Sequence, residues 1–282
     1  MLFISLLCML WCAGTEATSH PKEIAIVRRR SGLTHKEYLH YHTLVHGLKA
    51  WNAPRDNSYP SAYQQDYIYD AAFGVNDSVP NMVFVGRDDV TELYGSSATT
   101  FTAPPTTNYT ETVIGPDGYN FNDIATAFSM VCTETIVEDL KPGYNATVPL
   151  TAFYWARSSN LSINNATFAA NLLQAFLQKI PANTIYRAST HVPVPGTDSR
   201  PYFGGGTMPT INAVIKFWLN NTDTAITNIR AVQNQLNATT LSLDADTAFI
   251  VFSKAVTVWD LGAGIPFDTA RLKVGLALST IH

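Results

Sequence analysis

Two histidines one helical turn apart, His42 and His46, sit in the stretch Thr34-His35-Lys36-Glu37-Tyr38-Leu39-His40-Tyr41-His42-Thr43-Leu44-Val45-His46-Gly47. An imidazole titrates closer to neutral pH than any other unperturbed side chain, and burial favours its neutral form. A pair facing a cavity therefore suits proton transfer. The same His-x-x-x-His spacing would also place two metal ligands on one helical face. No Asp or Glu adjoins either histidine in the metalloprotease pattern, so Asp66, Asp70 or His191 would have to complete a metal site in space. Haem would need one axial histidine and a large apolar pocket. The alternative to all of these is a core histidine satisfied by hydrogen bonds. We take His46 as a base with His42 or a tyrosine as its partner, and we expect no metal and no cofactor. Tyr38, Trp51, Tyr67 and Tyr69 are the expected aromatic wall and phenol partners.

These residues need a helix to hold them. Thr34 and Glu37 have capping-box spacing, which starts a helix near His35, and Gly47 is a natural stop. On that helix Tyr38, Tyr41, His42, Val45 and Leu48 fall on one buried stripe, with His46 at its edge. The apolar run Ile24-Ala25-Ile26-Val27 before it reads as a strand, and Arg28-Arg29-Arg30 as its solvated end; His35 and His40 read as exposed.

The same order of elements occurs twice. The first set is a strand at 23–27, a helix at 35–48, strands at 63–72 and 81–86, a short helix at 88–94 and a strand at 129–138. After a linker around 141–145 the second set is a strand at 150–156, a helix at 166–180, strands at 184–190 and 211–219, a helix at 223–236 and a strand at 247–255. Each set is βαββαβ, a ferredoxin-like unit whose open sheet face needs a partner. The expected fold is α+β, with two fused ferredoxin-like repeats forming a barrel within one chain. The expected boundaries are 1–17 for a signal peptide, 21–140 and 146–260 for the repeats, and 261–282 for a tail. Aligning the two helices places Phe168, Leu172 and Phe176 where Tyr38, His42 and His46 stand, so both histidines occupy core-facing positions. The loops at 95–120 and 193–208 are long and polar, and the first could act as a lid. Gly204-Gly205-Gly206 has neither phosphate-loop nor dinucleotide spacing.

Composition bounds the function. Eighteen Lys and Arg against twenty-two Asp and Glu give a formal charge of −4, with no basic tract beyond Arg28–Arg30. Nucleic acid and anionic membrane surfaces are poor partners for such a chain. The apolar run from Leu2 to Trp11 is too short to span a bilayer, and small residues follow it, as in a secretory signal. Its removal would take Cys8 and Cys12 with it and leave Cys132 as a lone buried thiol with no disulfide partner. Sequons at Asn76, Asn108, Asn145, Asn160, Asn165, Asn220 and Asn237 fit a secreted glycoprotein. No Ser-His-Asp or Cys-His arrangement is legible.

The motif Arg30-x-Gly32-Leu33-Thr34-x-x-Glu37-Tyr38-x-x-Tyr41-His42-x-x-x-His46-Gly47, preceded by an apolar strand, resembles the opening of the EthD domain. His42 stands where that family often has Trp, and His46 matches its His before Gly. The resemblance covers residues 23–48, extends by element order over the first repeat, and touches the second only in architecture. It implies a dimeric α+β barrel with a small apolar ligand between helix and sheet. It also implies relatives that cyclise, dehydrate or decarboxylate aromatic polyketide-type intermediates. The expected partner is a small aromatic or apolar molecule, and homo-oligomerisation is left open. The rival from another class is a secreted, non-catalytic ligand-binding protein of the same fold; a third reading is an interaction protein with a filled core.

Overall fold

A computed structural model describes residues 19–74, 83–101, 107–139, 149–197, 208–220 and 223–279. The expected signal peptide, the linker, and the sequons at Asn76 and Asn145 lie outside them. The strands are β1 (Ser19–Val27), β2 (Ala62–Phe73), β3 (Asp89–Tyr94), β4 (Phe128–Asp139), β5 (Leu150–Ala156), β6 (Ile185–Pro193), β7 (Ala213–Leu219) and β8 (Phe249–Asp260). They close into one antiparallel barrel in the order β1-β3-β2-β8-β5-β7-β6-β4. Within each half the neighbours run fourth, first, third, second: β4-β1-β3-β2, then β8-β5-β7-β6. The halves join edge to edge, along β2 with β8 and along β4 with β6.

One expected helix is a strand. Residues 89–94 pair with both β1 and β2, and the segment 83–88 before them is not a strand. Val90 and Glu92 point into the barrel while Asp89, Thr91 and Leu93 face outward, which is the two-residue period of a sheet. Asp88 caps no helix; its carboxylate accepts from the Arg29 backbone N–H at 2.7 Å, holds the Arg29 guanidinium and meets His35 Nδ1 at 2.8 Å. Arg29 and His35 are thus paired rather than merely solvated, and Arg28 pairs with Asp123. His40 is exposed, as expected.

The barrel interior is divided along its axis. Ile24, Ile26, Phe128, Phe153, Trp155, Val214, Phe249 and Val251 fill one end with apolar side chains. The other holds Lys22, Asp66, Glu92, Glu134, His191 and Lys216, all buried. Lys22 Nζ binds Glu92, reaches Glu134 at 2.8 Å and His191 Nε2 at 3.1 Å, and Lys216 Nζ meets Glu92 at 2.5 Å. Glu92, Glu134 and His191 lie close enough together to ligate a metal ion, but the Lys22 ammonium bonds to all three and takes the place of the cation. Burial and the nearby Lys22 charge hold His191 below its ordinary pKa. His191 and Asp66 therefore belong to the lumen, as Asp66 bonds to Thr151 and Gln64; neither completes a site with His42 or His46.

Helices cover the outside. Over the second half, α4 (Asn165–Leu177) and α5 (Asp223–Gln233) bury Phe168, Leu172, Phe176, Ile229 and Val232 against β5 to β8. A short α6 (Ala238–Leu241) follows. Within the segment expected as a tail, α7 (Thr269–Ser279) packs Leu272 onto the core of the first half. Cys132 is buried, and burial raises its thiol pKa.

Candidate functional site

The helix over the first half starts as expected. Thr34 Oγ1 accepts from Glu37 N, the Glu37 carboxylate accepts from Thr34 N, and α1 (His35–His40) begins there. The chain then widens into a π-helical turn, Tyr41–His46, and returns to α-helix in α2 (Gly47–Trp51). Such a turn shifts the side chains beyond it around the axis and is frequent at functional sites. Its effect is visible in the buried face: Tyr38, Leu39, His42, Thr43 and Gly47 are buried, while Leu48, expected inside, is 42% exposed. Gly47 is not a stop. It is helical, and a Cβ there would come within 3.3 Å of Phe267 and Val258, so a small residue lets the C-terminal segment pack close.

Between this helix and the outward face of β1, β3 and β2 lies a cavity of about 450 Å³, within the usual range for small-molecule sites. Leu93, Phe121, Tyr59, Trp259 and Ile114 give it apolar walls, and its polar lining includes His42, His46, Tyr63, Glu23 and Thr91. Its far rim comes from the π-helical turn Thr110–Ile114 and from α3 (Gly115–Gly118), inside the segment expected as a lid.

His42 is held at both ring nitrogens. Nδ1 is 3.0 Å from Asp89 Oδ2, and Nε2 is 2.8 Å from the Tyr63 hydroxyl. Asp89 also accepts from Tyr38 at 2.5 Å, and Gln65 Nε2 donates to Tyr63 at 2.6 Å. Burial and the Asp89 charge raise the Tyr63 pKa well above its ordinary value, so Tyr63 remains a phenol. His46 is held at one nitrogen only. Nδ1 lies 2.9 Å from Asp117 Oδ2, and Nε2 has no partner among the described residues. Burial outweighs the Asp117 contact and lowers the His46 pKa, favouring neutral imidazole. Asp117 stays ionised: burial opposes this, but hydrogen bonds from His46, Lys49, Tyr41 and Asn120 outweigh burial. Phe121 stacks on His42 at 4.7 Å and packs tilted on His46 at 4.9 Å, fixing the separation of the two rings.

The expected wall residues are placed differently. Tyr38 is fully buried under the helix, bonded to Asp89, and does not line the cavity. Trp51 sits behind the lining, edge-on to Trp259 at 5.7 Å. Tyr67 bonds to Thr43 and Gln65 in the core, and Tyr69 packs with the core of the second half. The phenol that meets a histidine is Tyr63, from the same strand alternation. Sequence reasoning missed Asp89, Asp117, Phe121 and Glu23. Asp89 and Asp117 carried no local signal, because the histidines they hold, His42 and His46, are 47 and 71 residues away in the chain.

No family model and no curated protein matches the sequence. Solved structures resemble it in architecture. An anthrone oxidase-like protein aligns over 84% of this chain and 91% of its own, at 9% identity and a TM-score of 0.47. A candidate monooxygenase from Fusobacterium nucleatum aligns over 86% and 95%, at 10% identity and 0.44. A candidate chlorite dismutase aligns over 85% and 96%, at 10% and 0.44. At these scores the likeness carries nothing about chemistry.

Proposed function

We propose that this chain is an EthD-like protein of two fused ferredoxin-like repeats, at about 21–140 and 146–260. In this reading it is secreted, glycosylated, and performs cofactor-free acid/base chemistry on a small neutral aromatic or polyketide-type molecule. One observation carries the catalytic reading: His46 borders the cavity with Nδ1 anchored on Asp117 and Nε2 unpaired. A carboxylate on Nδ1 fixes the tautomer, and the opposite nitrogen is then left as the base. The His42–Tyr63 pair stands beside it as the hydrogen-bonding partner.

The lining also narrows the reaction. Among the described residues that border the cavity there is no Arg or Lys, whereas Glu23, Asp56 and Glu111 are all acidic. A substrate carboxylate would find no compensating cation there, which disfavours decarboxylation relative to cyclisation, dehydration or enolisation. The test is hydrogen–deuterium exchange at the acidic CH₂ of 2-tetralone, a neutral enolisable aromatic ketone, followed by NMR. Wild type should accelerate exchange, and His46→Phe should lower the rate by roughly 10²–10⁴-fold. Binding of 2-tetralone with no exchange above buffer in wild type would favour the binding-protein alternative.

A further inference from the structure

Glu23, Leu93 and Tyr63 form one row across β1, β3 and β2: Glu23 pairs with Leu93, and Leu93 with Tyr63. All three line the cavity. Neighbouring strands lie about 4.8 Å apart, so the Glu23 and Tyr63 backbones stand about 10 Å apart. A flat ring lying over Leu93 would have the phenol at one side and the carboxyl at the other.

The two groups differ in what they have to offer. With Nδ1–H of His42 donated to Asp89, the Tyr63 hydroxyl proton goes to His42 Nε2, and Tyr63 accepts from Gln65. Tyr63 then has no proton left to give a ligand. Glu23 has no hydrogen-bond or ion-pair partner among the described residues. The other acidic groups in the lining differ: Asp56 accepts from Ser58, and Glu111 is exposed. The elements around Glu23 offer it no charge. On its face β3 presents Thr91 and Leu93, with Asp89 two rows away and bonded to Tyr38 and His42. On the same face β4 presents Ser129 and Val131, and the turn Ala98–Phe101 carries no ionisable group. The titratable groups sharing its cavity are His42, His46, Tyr59, Tyr63, Asp56, Glu111 and Tyr119.

We infer that Glu23 is a second catalytic residue, the acid that hydrogen-bonds a substrate oxygen and protonates it while His46 removes a proton from carbon. This rests on the reading of His46 as base and adds a substrate class: neutral aromatic molecules with a ketone oxygen next to an acidic C–H. In the step, His46 Nε2 takes the proton from carbon and the C–H pair becomes the C=C bond. The carbonyl π pair moves to oxygen, which takes the Glu23 proton. The products are an enol, an imidazolium and a carboxylate, and proton exchange with water returns both side chains to their starting forms. Burial, which pushes the Glu23 carboxyl up to about 7, keeps a protonated fraction available near neutral pH.

The experiment measures 2-tetralone affinity and exchange rate from pH 5 to 9 in wild type, Glu23→Gln and His46→Phe. In wild type the affinity should fall at least fivefold as pH rises through 7, because the hydrogen-bond donor is lost. Glu23→Gln keeps an N–H donor but no transferable proton, so its affinity should be independent of pH while exchange falls at least tenfold. His46→Phe should lose exchange and keep the pH-dependent affinity. Affinity in wild type that does not vary with pH, the same pH dependence in Glu23→Gln, or no binding at all would overturn the role of Glu23. If exchange survives in His46→Phe while the Glu23 signature holds, the base assignment fails and Glu23 stands.

Discussion

Asp117 Oδ2 and His46 Nδ1 are 2.9 Å apart, and that contact decides which imidazole nitrogen is left for chemistry. Asp117 is itself fixed by Tyr41 at 2.8 Å, Lys49 at 2.5 Å and Asn120 at 3.0 Å, so the ring is oriented through a rigid acceptor. The neighbouring His42 spends both nitrogens on Asp89 and Tyr63 and serves as a link rather than a free base.

Asp117→Asn should separate orientation from folding. The amide can still accept from His46, but it can also donate to Nδ1 and stabilise the other tautomer. Exchange into 2-tetralone should drop by about tenfold or more, with affinity within twofold of wild type. Unchanged exchange would mean that Asp117 does not set the tautomer.

His46→Phe copies the residue that the second half uses at the aligned position, Phe176, which is fully buried. Because His46 accepts nothing essential to the core, the variant should unfold within about 1–2 kcal/mol of wild type in urea. A loss above about 4 kcal/mol would show that the imidazole is a structural element.

Glu23 should make stability depend on pH. Its carboxyl is pushed up to about 7 in the folded protein against 4.5 when unfolded. Below 4.5 both states are protonated and the group contributes nothing. As pH rises from 4.5 to about 7 the unfolded chain ionises while the folded state must hold its proton or desolvate a charge, so stability falls across that interval and the loss is complete above 7. Glu23→Gln removes this cost, so the variant should gain on wild type between pH 5 and 8. The gain should be about 1–2 kcal/mol after allowing for partial exposure of the side chain. Paired urea titrations at pH 5 and pH 8 would measure it, and a difference that does not change with pH would contradict the assignment.

Lys22 is the hub of the charges in the barrel lumen. Lys22→Met leaves Glu92 and Glu134 without it, and should cost about 3–5 kcal/mol. A double change that also removes Glu134 as Gln should recover part of that loss. Equal losses in the single and double variants, by denaturant unfolding, would show that the two residues do not interact.

How much of this was legible depended on how local each cause was. The Thr34–Glu37 cap lies within four residues, and the sequence alone places it. The strand at 150–156 and the helices beginning near 165 and 223 follow from apolar runs and their period. Residues 89–94 read as a helix in the sequence because Glu92 turns inward to meet Lys22 and Lys216, and a buried charge looks like surface until its partners are known. Tyr63 could not be told from Tyr67 or Tyr69, since all three share one alternation and only the placement of helix over strand picks one. The π-turn, which moved Leu48 outward, leaves no sequence mark as plain as a cap. Glu23 read as a strand end, and its role depends on β3 laying Leu93 between it and Tyr63.

The eight strands close on themselves through the β2–β8 and β4–β6 seams, so every strand has two neighbours within the same chain. An unpaired strand edge is the usual template for joining one sheet to another. This protein presents none among the described strands. Self-association, if it occurs in solution, must therefore run through helix and loop surfaces, where side-chain chemistry sets the affinity. Assembly by continuing the sheet from one molecule into the next would require the barrel to open first.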